Sequence, residues 1–123
     1  MRLTKHRKEI LNLFEKDNDN LWSAESIYQE LKDKNIDLST IYRTLDVFFK
    51  DGLVSKSMID NTAHYYLNGK EHHHYMICTS CHRKFKIKCQ FEGIIQNVQN
   101  QNNFRATHHD ITIYGHCAKC DKV

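Results

Sequence analysis

Four of the five cysteines in this 123-residue chain fall into two Cys-x-x-Cys pairs. The first pair is Cys78 and Cys81, and the second is Cys117 and Cys120, close to the end of the sequence. Four thiolates in two such pairs are the usual donor set of a tetrahedral structural zinc site. We therefore expect one Zn²⁺ at these residues, tying the end of the chain to its middle. Disulfides or redox dithiols are the alternative, less favoured because no secretory signal opens the chain and cytosolic thiols stay reduced.

Length and charge limit the other possibilities. A chain of 123 residues forms one ordinary domain or two small ones. It has no run of about 18 apolar residues, so we expect a cytoplasmic protein without a membrane partner. The formal net charge is only +3, which is not the strongly basic balance typical of nucleic-acid binding. Local basic patches remain, notably Arg2, Lys5, Arg7 and Lys8 at the start, but charge alone does not predict DNA binding.

Residues 1–68 show the spacing of three helices followed by a hairpin. Apolar residues recur every three or four positions in three segments, of which the third opens near Ser39 and ends at Gly52. Two β-rich runs follow, 53–59 and 63–67, with an Asp-Asn-Thr turn between them. This is the order of a winged helix-turn-helix domain, which we predict over residues 1–68.

The pattern changes after residues 69–71, which we interpret as a hinge. Within residues 72–123, strand-like runs flank the first cysteine pair, a helix carries apolar residues on one side, and a last strand is predicted over 104–114. A segment this small buries its strands poorly alone, so a dimer partner or a metal should complete it. The predicted fold class is α+β: an N-terminal winged helix-turn-helix domain and a small C-terminal α/β dimerisation domain with the structural Cys₄ zinc site.

Three motifs follow one another along the chain. They are the third-helix stretch Ser39-Thr40-Ile41-Tyr42-Arg43-Thr44-Leu45, the run His72-His73-His74 ahead of the first cysteine pair, and the closing Tyr114-Gly115-His116-Cys117-x-x-Cys120. Together they resemble the ferric uptake regulator family, whose members are dimeric bacterial metal-sensing repressors. The resemblance covers essentially the whole chain. It implies a homodimer that binds a palindromic DNA operator, with no small-molecule substrate and no enzymatic activity.

The resemblance also implies how the N-terminal half meets DNA, with the third helix in the major groove and the hairpin near the backbone. Arginine can bond guanine bidentately, while tyrosine offers its ring to a thymine methyl and its hydroxyl to phosphate. The implied DNA-binding residues are Ser39, Thr40, Tyr42 and Arg43, with Lys5 and Arg7 as weaker backbone contacts. The residues alone leave an alternative, in which Tyr42 is partly core and Arg43 merely solvated.

The histidines near the cysteine pairs imply a first regulatory metal site. Alternate residues of a strand face opposite sides, so His72 and His74 share one face. By resemblance, His72, His74 and His109 are the imidazole ligands and Glu92, in the first turn of the C-terminal helix, is the carboxylate. Three imidazoles and a carboxylate suit zinc, and also iron or cobalt.

A second regulatory site departs from the family pattern. At three positions where many family members carry a metal ligand, this chain has Leu21, Tyr66 and Tyr75 instead. His73 remains of the matched set, and His64 and Cys89 are candidates to replace the missing ligands. Cys89 has a competing interpretation as a small core residue, because it shares a strand face with apolar residues and free cysteine is commonly buried.

Ligand type is the guide to the metal that is sensed. A thiolate beside imidazoles favours zinc over iron, so we expect zinc-responsive control of metal uptake genes. The absence of histidine at Leu21 argues against a peroxide sensor. The expected cofactors are one structural Zn²⁺ and one or two regulatory ions, with zinc first and Fe²⁺ or Mn²⁺ as alternatives. A metal buffer or chaperone without DNA binding is a more distant alternative, which would not need the third helix and the hairpin.

Overall fold

The computed structural model describes residues 2–17, 20–68 and 73–121, and its contacts divide the chain into two units, residues 1–70 and 71–123. Residues 69–71, predicted as a hinge, and the predicted ligand His72 lie outside the described residues. The first unit contains α1 (Lys5–Lys16), α2 (Ala24–Glu30), α3 (Leu38–Lys50), β1 (Val54–Ile59) and β2 (Thr62–Leu67). The second contains β3 (His73–Cys78), β4 (Lys84–Lys88), α4 (Glu92–Gln101) and β5 (Thr112–Gly115). The α+β fold class is therefore confirmed.

Helices α2 and α3 begin at caps that their own sequences supply. Ser23 and Ser26 form a reciprocal capping box at the start of α2, with N···O distances of 2.8 and 3.1 Å. Helix α3 begins slightly ahead of the expected Ser39, because the Asp37 carboxylate accepts the Thr40 backbone N–H at 2.8 Å. Both helix starts are thus fixed by short-range hydrogen bonds.

The core of the first unit is made by apolar faces of the three helices. Six of its side chains have no exposed surface: Ile10, Phe14, Ile27, Ile41, Leu45 and Phe48. Burying a side chain of this size contributes about 1.5–3 kcal/mol. Helix α3 is therefore anchored by one face, and its opposite face, which carries Tyr42 and Arg43, is exposed.

Strands β1 and β2 form the hairpin that follows α3. Gly52 ends the helix with a φ of 77°, as predicted, because glycine adopts this left-handed conformation without steric cost. Asp60 and Asn61 connect the strands with φ values of 50° and 63°, typical of a two-residue type I′ turn. The backbones of Trp22 and Tyr65 exchange hydrogen bonds of 2.8 and 2.7 Å, which adds a bridge beside β2. The predicted order of three helices and a hairpin is confirmed.

The second unit is a three-stranded sheet in the order β4-β3-β5, with β3 antiparallel to β4 and parallel to β5. The strand predicted over 104–114 is wrong for most of its length, since β5 begins at Thr112. The start of the preceding segment, residues 104–106, is attached to α4. The backbone N–H of Phe104 bonds the Gln99 carbonyl at 3.0 Å, and that of Ala106 bonds the Gln99 side chain.

Helix α4 is amphipathic, but its apolar residues are not buried within the second unit. Ile94 is 63% exposed and Val98 is 52% exposed. A partner for this face was expected from the sequence, because so small a segment cannot cover its own apolar surface. In the part of the chain that the structure describes, no helix is long and apolar enough to span a bilayer.

Candidate metal centres and nucleic-acid interface

The two cysteine pairs meet at one edge of the second unit. Cys78 ends β3 and pairs with Gly115 at the end of the parallel strand β5, so the turns that leave both strands lie side by side. The Sγ atoms of Cys78, Cys81, Cys117 and Cys120 all lie within 4.8 Å of one another. Cys78 is buried, Cys81 is exposed, and the other two are half-buried.

These distances fit a tetrahedral ion. With a Zn–S bond of about 2.3 Å, two sulfur atoms of a tetrahedron are about 3.8 Å apart. The Sγ atoms of Cys81 and Cys117 are 3.8 Å apart. All five cysteines are free thiols in the structure, so the arrangement matches a shared ion better than the disulfide alternative.

Electrostatics within the cluster also favour a divalent cation. The backbone N–H groups of Cys81 and Cys117 point at Cys78 Sγ, at 3.4 and 3.5 Å, and lower the pKa of Cys78 to about 5. Hydrogen bonding to the Cys117 and Cys78 sulfurs raises the pKa of Cys120 to about 12. Four thiols cannot all ionise without a positive charge among them, and a thiolate is the form that binds metal. The donor set fits a structural Zn²⁺.

A second cluster joins two histidines and the remaining cysteine. The Nε2 atom of His109 lies 3.0 Å from Nε2 of His74 and 3.3 Å from Sγ of Cys89, and the three donor atoms lie within 4.8 Å of one another. His74 is only 2% exposed, and the edge of the Phe91 ring packs against it with centroids 5.6 Å apart. Two imidazoles and one thiol converge on one partly buried point, which is the arrangement of a metal centre with three protein ligands.

This cluster combines residues that the sequence placed in two sites. Cys89, grouped there with His64 and His73, lies with His74 and His109. Strand β4 ends at Lys88, so Cys89 follows it in irregular backbone and strand alternation does not apply to it. Among the described residues, Glu92 is not part of either cluster of donor atoms, although it opens α4 directly after Phe91.

The two other candidates of the second predicted site have local partners. His64, on β2, lies with Nδ1 3.0 Å from the Thr62 carbonyl oxygen. His73, on β3, lies with Nε2 2.8 Å from the Tyr75 hydroxyl, and the two rings meet edge to face. Each ring is oriented by a residue of its own strand.

The candidate DNA-binding residues lie at the start of α3. Ser39 Oγ donates to the Asp37 carboxylate at 3.2 Å, and an Arg43 guanidinium nitrogen donates to Thr40 Oγ1 at 3.3 Å. Tyr42 is 49% exposed, so the alternative in which it is partly core does not describe this structure. A helix start with exposed hydroxyls and an exposed arginine suits phosphate and base contacts.

The sequence analysis missed Glu25, which accepts a hydrogen bond from the Tyr42 hydroxyl. This bond lowers the pKa of Glu25 and raises that of Tyr42. Nothing in the spacing of the two residues indicates it, because the pair depends on how α2 crosses α3. The weaker candidates lie on or beside α1: Lys5 is exposed, and Arg7 donates to the Arg2 carbonyl at 2.8 Å.

Comparison with known proteins relates this chain to one family. Residues 1–114 match the model of the ferric uptake regulator family. The ferric uptake regulation protein of Bordetella parapertussis is 32% identical over 126 residues, covering 99% of this chain and 91% of the relative. That of Synechococcus elongatus is 33% identical over 133 residues, covering 98% of this chain and 86% of the relative.

Solved structures show the same likeness. The ferric uptake regulator of Francisella tularensis with iron superposes with a TM-score of 0.77 at 27% identity, covering 98% of this chain and 94% of that one. A zinc uptake regulator complexed with zinc and DNA superposes with a TM-score of 0.72 at 26% identity, covering 98% and 83%. The family consists of homodimeric, metal-responsive DNA-binding regulators of transcription and not of enzymes, and this chain belongs to the ferric uptake regulator family.

Proposed function

We propose that this regulator is a zinc-responsive repressor of metal uptake genes, which acts in the cytoplasm as a homodimer on a palindromic operator. The observation that carries the zinc assignment is the cluster of His74, Cys89 and His109, with its three donor atoms within 4.8 Å of one another. A thiolate among imidazoles is a softer donor set than the oxygen and nitrogen ligands that iron(II) and manganese(II) prefer. Zinc commonly takes such mixed sulfur and nitrogen ligands.

An iron-responsive regulator is the second candidate. It is supported by the ferric uptake regulation proteins among the relatives and by the iron-containing Francisella structure. The zinc uptake regulator bound to zinc and DNA supports the first candidate at similar identity. The relatives therefore do not separate the two metals, and the donor chemistry of Cys89 is the argument for zinc. A manganese- or peroxide-responsive member ranks third. Many family members carry a histidine where this chain has Leu21, and its absence argues against a peroxide sensor.

In this proposal the two metal centres have different tasks. The Cys₄ centre is structural, because it joins the turns after β3 and β5. The centre of His74, Cys89 and His109 is regulatory, with His72 and Glu92 as further proposed ligands. His64 and His73 remain proposed metal ligands outside this centre. Residues 1–68 bind DNA, residues 69–71 are the hinge, and residues 72–123 bind metal and dimerise.

The regulatory centre draws on three separate segments. His74 comes from β3, Cys89 from the end of β4, and His109 from the irregular backbone before β5. A bound cation can be coordinated by all three side chains at once. The segment before β5 is then held to β3 at His109, and this connection is what the metal adds. Metal favours repression only to the extent that it binds the DNA-competent conformation more tightly than the conformation that does not bind DNA.

The homodimer needs an apolar surface in the second unit. We propose that the exposed face of α4, with Ile94 and Val98, is part of it. Two such faces would cover each other in an isologous contact. In the first unit, α3 would then read each half-site through Tyr42 and Arg43, with Ser39 and Thr40 near phosphate.

Metal-dependent operator binding tests the proposal. A DNA duplex is first selected from a random-sequence library by the zinc-loaded protein, and its affinity is measured by fluorescence anisotropy. Zinc, iron(II) under anaerobic conditions and manganese(II) are titrated separately at one salt concentration. We expect zinc to raise affinity at the lowest free metal concentration, and a chelator to reverse the effect. Iron at lower free concentration would favour the second candidate, and equal affinity with and without metal would rule out a metal switch.

A further inference from the structure

On α3, the proposed recognition helix, the hydroxyl proton of Tyr42 is already donated within the protein. Tyr42 is exposed on α3, and its hydroxyl donates to the carboxylate of Glu25 in the first turn of α2. A tyrosine hydroxyl has one proton to donate and otherwise only accepts. Phosphate oxygens are acceptors at neutral pH. Tyr42 therefore cannot bond phosphate while it bonds Glu25.

Glu25 and Tyr42, the two partners of this hydrogen bond, each lie near the capped start of a helix. The capping box of Ser23 and Ser26 holds the first turn of α2, and the Asp37 cap holds the first turn of α3. The bond between Tyr42 and Glu25 thus fixes the phenol ring at its backbone end and at its hydroxyl. A ring held in this way loses little conformational entropy when it contacts a base.

The negative charge of Glu25 also disfavours a contact between Tyr42 and phosphate. A carboxylate beside the recognition helix repels the DNA backbone, so it disfavours a close approach of phosphate at this point. Arg43, the next residue, has its guanidinium oriented by Thr40 and remains available for guanine or phosphate. The two recognition residues are therefore suited to different contacts.

We propose that Glu25 is a positioning residue that makes Tyr42 a reader of thymine through its ring, and not an anchor for phosphate. This inference rests on the proposed operator binding by α3. The thymine methyl is an apolar group in the major groove, and a phenol ring of fixed orientation can pack on it. The hydroxyl oxygen keeps its acceptor sites for a base amino group. Glu25 contributes to sequence specificity without touching a base.

The test compares thymine with deoxyuridine, which lacks only the methyl group. Each thymine of a half-site in the selected duplex is replaced in turn, and Kd is measured with the zinc-loaded dimer. For the wild type we expect one position at which the replacement weakens binding about fourfold, the effect of one buried methyl. In Glu25→Ala this thymine preference should be lost. In Glu25→Gln it should persist, because the amide oxygen still accepts the hydroxyl proton, while affinity for unrelated DNA rises with the lost charge.

Two further variants separate this role from general effects. Glu30→Ala removes the same charge from the exposed end of α2 and should leave the thymine preference unchanged. Tyr42→Phe removes the hydrogen bond and keeps the ring, so it should resemble Glu25→Ala, and the double variant should lose no more than either alone. If Tyr42 instead bonded phosphate, Tyr42→Phe would weaken binding to every sequence equally and Glu25→Ala would leave the thymine preference intact. That result would overturn the inference.

A measurement without DNA keeps the inference separable from the proposed function. The pH titration of the Tyr42 ring, followed by NMR, should give a higher pKa in the wild type than in Glu25→Ala, which has no acceptor for the hydroxyl, because the carboxylate holds the phenol proton. Equal titrations would mean that the hydrogen bond is absent in solution and would overturn the inference alone. A wild type that selects no DNA at all would overturn the proposed function, whatever the titration shows.

Discussion

The Nε2 atoms of His74 and His109 lie 3.0 Å apart, although 35 positions separate the two residues along the chain. Two imidazole nitrogens at this distance either share one proton or direct their lone pairs at a common cation. The Cys89 sulfur lies 3.3 Å from the same nitrogen of His109. The pair thus marks the point at which three segments of the second unit converge, and the metal response should depend on it.

Replacing Cys89 with serine should weaken zinc binding at the regulatory centre by more than the roughly 10–100-fold that loss of a ligand's own hydrogen-bond partner costs, since a hydroxyl is a poor substitute for a thiolate ligand. With the Cys₄ centre filled with zinc, cobalt added to the wild type should show a sulfur-to-metal charge-transfer band. Cys89→Ser should lack this band. The neighbouring exposed change Gln90→Ser is the matched control. An unchanged spectrum in Cys89→Ser would make Cys89 a packing residue.

Replacing Cys81 with serine should release the structural zinc and unfold the second unit, because Cys81 is one of the four sulfur ligands that would join the turns after β3 and β5 through the ion. Elemental analysis should show less zinc per chain, and circular dichroism should show loss of strand signal. Ser80→Ala, in the same turn, removes only a hydroxyl contact with His116 and should keep its zinc. A zinc-poor Cys81→Ser protein that remains folded and dimeric would contradict a structural role.

Replacing Arg43 should weaken specific binding by about 1–3 kcal/mol if its guanidinium bonds a guanine edge. Arg43→Lys keeps the charge but loses the bidentate geometry, so it should lose discrimination among operator variants more than affinity for unrelated DNA. Lys50→Ala, at the other end of α3, removes a residue paired with Asp46 at 2.9 Å and should change all affinities alike. Equal losses on specific and unrelated DNA for Arg43→Lys would place Arg43 at phosphate.

Replacing Val98 with aspartate should abolish or strongly weaken dimerisation, because it puts a charge on the exposed apolar face of α4. Light scattering at micromolar concentration should report a monomer. Asn97→Asp adds the same charge to the adjacent exposed position and should remain dimeric. A dimeric Val98→Asp protein would place the interface elsewhere on the second unit.

Local patterns were sufficient for the first unit. Apolar spacing at three and four residues predicted the three helices, and Gly52 and the Asp-Asn turn marked where α3 ends and the hairpin reverses. These signals work because they act within a few residues of backbone. The same reasoning failed over residues 104–111, where β-type residues suggested a strand. At Phe104 and Ala106, bonds to Gln99 attach the backbone to the end of α4, and the pattern of residue types in the sequence does not indicate them.

The two metal clusters show the same division. Each Cys-x-x-Cys pair is a local signal. Because zinc prefers four thiolates, two such pairs were enough to expect a single Cys₄ site. The ligands of the regulatory centre come singly from three segments. The family resemblance suggested His74 and His109, but no pattern in the sequence indicated that Cys89 joins them. That grouping follows from the register of β3 with β4 and from the path of the chain into β5. The bond between Glu25 and Tyr42 likewise depends on the packing of α2 against α3, because long-range neighbours are set by packing and leave no periodic trace in the chain.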